Sequence, residues 1–365
     1  MQRSNQTQKT QRRGPMPIMM HLALMALSPD KVQDILQGLH NYHHHPYDRS
    51  QELTELPSVW SAGSVQLLLA KAQQNTPPKR PVFIIPSFIN GSEILDLTRE
   101  RSLIRWLAAQ GHDCYLLDWG DLTRDTECAS LSALITARLS PALAHIKDAH
   151  KTAPTLIGYC LGGNFAAALA ALHGDDVAQL ILLATPWDFH HPDNKLKQLL
   201  AGQSRLVKEK AQQGGALSTE YLQSLFIQTD LKQSAKKYAN FGKHDPTSPI
   251  AKHFVATEDW VNGGNDVPAQ LILECIERFY KQNAPMKNNC KLDDGTVINT
   301  QNFTGEALVF APLNDHIVPH GTSSAIMPQL NNAQSITVDS GHIGMLVGRK
   351  AQQICWQPIL DFLND

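Results

Sequence analysis

Residues 154–163 read Pro154-Thr155-Leu156-Ile157-Gly158-Tyr159-Cys160-Leu161-Gly162-Gly163, an apolar run that turns at a glycine-flanked cysteine into the alanine-rich stretch Asn164 to His173. The pattern is strand, sharp turn, helix. Its spacing is that of a G-x-S-x-G nucleophile elbow with sulfur in place of the serine oxygen. The glycines two residues either side serve a steric purpose, because a β-carbon there would strike neighbouring backbone in so strained a turn. Sulfur also bears on the chemistry: a thiol exchanges acyl groups with a thioester at nearly constant energy, which favours acyl transfer over simple ester hydrolysis. By itself a lone cysteine is ordinarily a small buried hydrophobe, so the reading needs support from elsewhere in the chain.

Two segments supply it. Residues 306–319 form a hydrophobic strand that runs out at Asp315, and residues 334–344 form another that runs out at His342 between glycines. Nucleophile, acid and histidine then stand in the chain order of the α/β-hydrolase fold, each just past the end of a strand. Cys160, Asp315 and His342 are the expected catalytic residues. His316, beside Asp315 on the same loop, is expected to support the acid rather than act as a second base. A tetrahedral intermediate needs two preorganised donors for its oxyanion. The candidates are the backbone N–H groups of Leu161, directly after the nucleophile, and of Ile89 in the loop Ser87-Phe88-Ile89-Asn90. Asp118 and Asp188 also follow strands, but their Trp119 and Trp187 neighbours mark them as loop anchors.

Between Pro81 and Thr185, strand and helix patterns alternate: Pro81–Ile85, a helix over 102–110, a strand over 113–119, a helical run over 131–150 that Pro141 should kink or split, and a strand over 178–185. This is the signature of a mostly parallel sheet flanked by helices. From Trp187 to Thr304 the alternation stops and aromatic-rich helical patterns take over, the expected form of a cap insertion over the site. Most of its aromatics should fill its own core and a few should line an acyl tunnel. The domain reading is therefore an N-terminal tail and helical segment over 1–79, an α/β-hydrolase core over 80–186 and 304–365, and a mainly helical cap over 187–303.

Composition narrows the function classes. The chain has 365 residues, 42% hydrophobic and 18% charged, and its 32 Lys+Arg against 34 Asp+Glu create no field that would recruit nucleic acid. Its 6 cysteines are scattered with no C-x-x-C pair, which argues against a zinc site or a disulfide scaffold and for a reducing, cytoplasmic setting. The apolar stretch Pro15 to Ser28 is broken by two prolines and His21, so it reads as a helix packed on the body and not as an export signal. No run approaches the roughly 20 apolar residues of a membrane span. His43-His44-His45 has no acidic or cysteine partner at ligand spacing and reads as a solvated loop. No metal or organic cofactor is expected.

As a set, several motifs resemble the polyhydroxyalkanoate synthase family. They are Gly158-Tyr159-Cys160-Leu161-Gly162-Gly163, Asp315-His316-Ile317-Val318-Pro319, Gly341-His342-Ile343-Gly344, Pro86-Ser87-Phe88-Ile89-Asn90 with Ile94-Leu95-Asp96-Leu97, Arg101 to Leu107, and Leu117-Asp118-Trp119-Gly120. The resemblance spans about residues 80–190 and 304–348. It implies polymerisation of (R)-3-hydroxyacyl groups from coenzyme A thioesters. Cys160 would carry the growing chain, and His342 would activate thiol and hydroxyl with the support of Asp315. It also implies a homodimer formed through the cap and association with polyester granules. In length the chain resembles the short catalytic subunits that need a second synthase protein, although its elbow reads more like the longer class. Two other classes stay open at this stage: a cysteine hydrolase (thioesterase, polyester depolymerase or dienelactone-hydrolase-like enzyme) and a non-catalytic granule-binding protein.

Overall fold

The structure is a computed structural model that describes residues 25–26, 28–73 and 79–365. The N-terminal tail and most of the Pro15–Ser28 stretch read above as a helix fall outside the described residues.

Eight strands form one sheet: β1 (Ser58–Ala62), β2 (Val65–Ala70), β3 (Val82–Ile85), β4 (Cys114–Asp118), β5 (Thr155–Tyr159), β6 (Gln179–Leu183), β7 (Glu306–Pro312) and β8 (Asn332–Val338). Their spatial order is β1-β2-β4-β3-β5-β6-β7-β8. The first two are antiparallel to their neighbours and the remaining pairs are parallel. Strands β3, β5 and β6 are buried along their whole length. That is why they read as continuous apolar runs and not as alternating ones.

The helices also follow from local chemistry. Helix α1 (Val32–His44) buries Ile35, Gly38 and Tyr42 at helical spacing. Helix α2 (Leu103–Ala109) is capped by the Ser102 side chain, which accepts the Arg105 N–H. Helix α3 runs from Leu131 to His150, and just before Pro141 it widens into a π-helical segment over Leu134–Leu139. Pro141 has no N–H for the Ala137 carbonyl, and Nη1 of Arg138 donates to that oxygen at 3.0 Å. Helix α4 (Leu161–Leu172) starts directly after Cys160 and is buried along most of its length. Helix α10 (Gln357–Asn364) closes the chain against the second face of the sheet.

Between β6 and β7 lie α5 (Lys195–Gln212), α6 (Thr219–Thr229), α7 (Leu231–Phe241), α8 (Pro249–Asn262) and α9 (Ala269–Glu274, continuing as a π-segment through Lys281). They come with two short antiparallel ribbons. Helix α1 joins this layer, sharing an apolar cluster with Tyr238, Phe241, Ala251 and Val255.

Two N-terminal readings need correction. The segment 1–79 contributes β1 and β2 to the main sheet besides its helix. These strands sit at the sheet's margin, and β1 is largely exposed, so it lacks the apolar run that marked the others. His43 and His44 belong to the last turn of α1 and not to a loop.

The hairpin β1–β2 is tied to α3 through Asp125. Its carboxylate accepts from Nε and Nη2 of Arg138 at 2.9 and 2.6 Å and from the Ser64 amide at 3.3 Å. The two side chains of the ion pair are only 4% and 2% exposed. Replacing Asp125 by Ala leaves the buried guanidinium only the exposed Glu127 carboxylate, at 3.0 Å, and should lower the unfolding free energy by roughly 3 kcal/mol in urea titrations. Arg138 holds Asp125 below the usual carboxylate range, so this contribution is present above the ordinary value and lost as pH falls through the depressed one. An unchanged urea midpoint for Asp125→Ala would contradict the assignment.

Candidate active site

Cys160 adopts φ +54° and ψ −130° between β5 and α4. A non-glycine residue is held in this region only when its surroundings impose it, at about 1–3 kcal/mol. Here the Cys160 amide donates to the Leu183 carbonyl on β6 at 2.9 Å, and its own carbonyl accepts the Gly163 N–H at 2.9 Å. A β-carbon on Gly158 would overlap the Gly163 backbone, and one on Gly162 would overlap the Ile85 carbonyl at the end of β3. The helix can therefore meet the strand closely enough to form the elbow only because these positions are bare.

The loops after β7 and β8 are joined backbone to backbone. Leu313 N–H donates to the Val338 carbonyl at 2.9 Å and Asn314 N–H to the Ser340 carbonyl at 3.0 Å. This brings Nδ1 of His342 to 2.6 Å from Oδ2 of Asp315. The other carboxylate oxygen of Asp315 accepts the amides of Ile317 and Val318 at 2.9 and 2.8 Å. The Cys160 sulfur lies on the same cavity as the ring and is among the groups that favour its charged form. The three residues expected from chain order are thus brought together.

Burial of the His342 ring opposes its charge. The Asp315 carboxylate and the Cys160 sulfur more than offset that by Coulomb attraction and hydrogen bonding, and the imidazole pKa is pushed up to about 10. Tyr159, the residue between Gly158 and the nucleophile, stacks its ring 5.1 Å from the imidazole at a 35° tilt and donates its hydroxyl to the His342 carbonyl at 3.4 Å. Sequence reasoning missed this contact, since the middle residue of the elbow motif carries no fixed chemistry.

The other expected residues are placed less simply. Leu161 is the first residue of α4, so its amide is one of the N–H groups that a helix start leaves unpaired within the helix. The Ile89 amide donates to Oγ of Ser87 at 3.2 Å. Their loop is anchored by Trp119, whose Nε1 donates to the Pro86 carbonyl at 2.9 Å beneath a cluster with Phe88 and Phe165. His316 lies 3.3 Å from Asp230, between α6 and α7, and is half exposed. It reaches across to the helical layer, while backbone amides hold Asp315. Asp118 and Asp188 accept from the Gly120 and His190 amides, as loop anchors do.

Cys160, Asp315 and His342 open into one cavity of about 480 Å³, roofed by the helices between β6 and β7. Of the aromatics in that layer, Phe226, Trp260 and Tyr280 line it. Phe189 stacks on Phe279, and Phe241 on Phe254, away from it. Among the described residues no group of three or more His, Cys, Asp or Glu is arranged to hold a metal, and no helix is long and apolar enough to cross a membrane.

Comparison with known proteins gives one picture. A family model described as alpha/beta hydrolase fold matches residues 80–349. The chain is 28% identical over 294 residues to the Poly(3-hydroxyalkanoate) polymerase subunit PhaC of Thiocystis violacea, covering 80% of this chain and 82% of that one. It is 27% identical over 314 residues to the protein of the same name from Allochromatium vinosum, covering 84% and 88%. Among solved structures, a hydrolase from Pseudomonas aeruginosa PA01 superposes with a TM-score of 0.54 at 14% identity, covering 85% of this chain and 98% of that one, a likeness of fold alone.

The raised His342 pKa is testable by NMR of the labelled imidazole. The ring should stay protonated past pH 8 and lose its proton near 10. Asp315→Asn, which removes the largest charge favouring the imidazolium, should move the transition down toward the ordinary value near 6.5. Because the folded value is the higher one, the stabilisation is complete below the ordinary value and lost as pH rises through about 10. A wild-type ring titrating near 6.5 would refute this account of the charges.

Proposed function

The chain belongs to the α/β-hydrolase fold family, and we propose that it is an acyltransferase that polymerises (R)-3-hydroxyacyl groups from coenzyme A thioesters through a covalent Cys160 intermediate. The observation that carries this reading is a cysteine at the elbow that shares one cavity with an imidazole oriented by Asp315. The names of the relatives support the substrate class.

The steps follow from the charges. Cys160 sulfur, its proton transferred to His342, attacks the thioester carbonyl, and the carbon–sulfur bond to coenzyme A breaks. The imidazolium protonates the departing thiolate, leaving a Cys160 thioester and a neutral ring. Acylation removes the charge from sulfur and with it two of the causes that raise the His342 pKa. The ring is then suited to act as a base toward an incoming 3-hydroxyl. That oxygen attacks the acyl-enzyme carbonyl, an ester forms, and the carbon–sulfur bond to Cys160 breaks. The scheme uses this chain's side chains and the substrate alone.

For the oxyanion, Leu161 supplies one backbone N–H. The Ile89 amide acts through Ser87, whose hydroxyl accepts that N–H and keeps its own proton to donate. In this reading residues 80–186 and 304–365 are the catalytic core, and 187–303 is a cap that excludes water from the acyl-enzyme. The cap is also the surface proposed for a homodimer. The relatives are named as subunits, which favours a second protein partner. Work at a polyester granule in the cytoplasm completes the proposal.

Incubation with (R)-3-hydroxybutyryl-CoA, following thiol release and product mass together, should give oligoester, and Cys160→Ala should abolish both. Thiol release yielding only monomeric hydroxy acid would make the enzyme a thioesterase, and no release, even with a partner subunit added, would favour a binding protein. Ser87→Ala should slow acylation by roughly a hundredfold. An unchanged or faster rate would assign Ser87 to the loop alone.

A further inference from the structure

Lys237 on α7 and Glu258 on α8 form an ion pair on the wall of the cavity that holds Cys160. The ammonium donates to both carboxylate oxygens at 2.8 Å, and the Tyr238 hydroxyl donates to one of them at 2.6 Å. Glu258 is 4% exposed. The surrounding wall is apolar, with Leu222, Phe226 and Trp260 nearby in the lining. The Lys237 side chain is 30% exposed and that of Glu258 5%, and such a pair is a poor source of stability, because desolvation of the carboxylate offsets its attraction. Its place in this wall asks for another reason.

An ammonium has three N–H donors. Two go to Glu258, and among the described residues no third acceptor is found. The Tyr238 ring centroid lies 5.2 Å from Nζ and offers a face but no lone pair. The pair carries no net charge, so an anion gains little there. A neutral carbonyl oxygen, in contrast, gains a charge-assisted hydrogen bond while giving up little hydration. The cavity of about 480 Å³ is in the range that takes a drug-sized ligand, and a single four-carbon hydroxyacyl group leaves most of it unfilled. The first oxygen acceptor beyond the thioester of an oligoester is the ester carbonyl of its second unit.

We propose that Lys237 is a specificity-determining residue that donates a hydrogen bond to the ester carbonyl of the second unit of an oligoester entering on Cys160, with Glu258 and Tyr238 holding the ammonium in place. The inference rests on the acyl-transfer reading above and concerns binding alone. Its consequence is a preference for thioesters that already carry two units.

The test compares thiol release from (R)-3-hydroxybutyryl-CoA and from its linear dimer thioester by the full chain. The variants are Lys237→Met and the double variant Lys237→Met/Glu258→Gln, which leaves no buried carboxylate stranded. In both variants kcat/KM for the dimer should fall on the order of tenfold, while that for the monomer changes by less than about twofold. Equal losses on both thioesters, or none on either in a double variant that melts like the wild type, would overturn the assignment. Wild-type release of hydroxy acid in place of oligoester contradicts only the polymerase reading, since the dimer-to-monomer ratio still reports on Lys237. A wild type that accepts neither thioester overturns both.

Discussion

The backbone at Cys160 is the constraint on which the rest depends. A cysteine at φ +54° is held there by the parallel strands on either side and by the close approach of α4. Strand β5 lies between β3 and β6 in the sheet, so it cannot relax toward solvent. The turn it forces lifts the thiol to the carboxyl edge of the sheet, where ligands of such folds bind. A sheet lacking Gly158 or Gly162 would push the helix away and lose that placement.

The electrostatics build on this geometry. Asp315 is fixed by two backbone amides, His342 by Asp315 and Tyr159, and Cys160 by the elbow. Each group is oriented by one that is itself held, so little reorganisation is needed as charge moves from sulfur to ring. The helical layer keeps these charges in a mostly apolar cavity, where their attraction is screened less than in water. The same layer supplies Lys237 and Glu258, a polar feature in a wall otherwise suited to alkyl groups.

Much of this was legible in the sequence because fully buried strands write themselves as apolar runs. The elbow and Asp315 follow such runs, while His342 follows the mostly exposed β8, so the three positions could be read from context and chain order. The margins of the fold were hidden for the opposite reason. Strand β1 exposes most of its residues, and α1 finds its partners some 200 positions away on α7 and α8. The π-helical segment of α3 before Pro141, with Arg138 covering the Ala137 carbonyl, is a local detail that no propensity predicts. In the site, neither the Ser87–Ile89 hydrogen bond nor the Lys237–Glu258 pair leaves a motif, since each depends on tertiary placement of ordinary residues. Only the fold separates Phe226, Trp260 and Tyr280, which line the cavity, from aromatics of the same type that do not.

The most direct test of the central claim is intact-protein mass spectrometry after brief exposure to (R)-3-hydroxybutyryl-CoA, with proteolysis to locate the adduct. The account predicts a ladder of masses spaced by one hydroxybutyryl unit, all on the peptide that carries Cys160 and all released by hydroxylamine. An unmodified Cys160 peptide, or a ladder attached elsewhere, would contradict it.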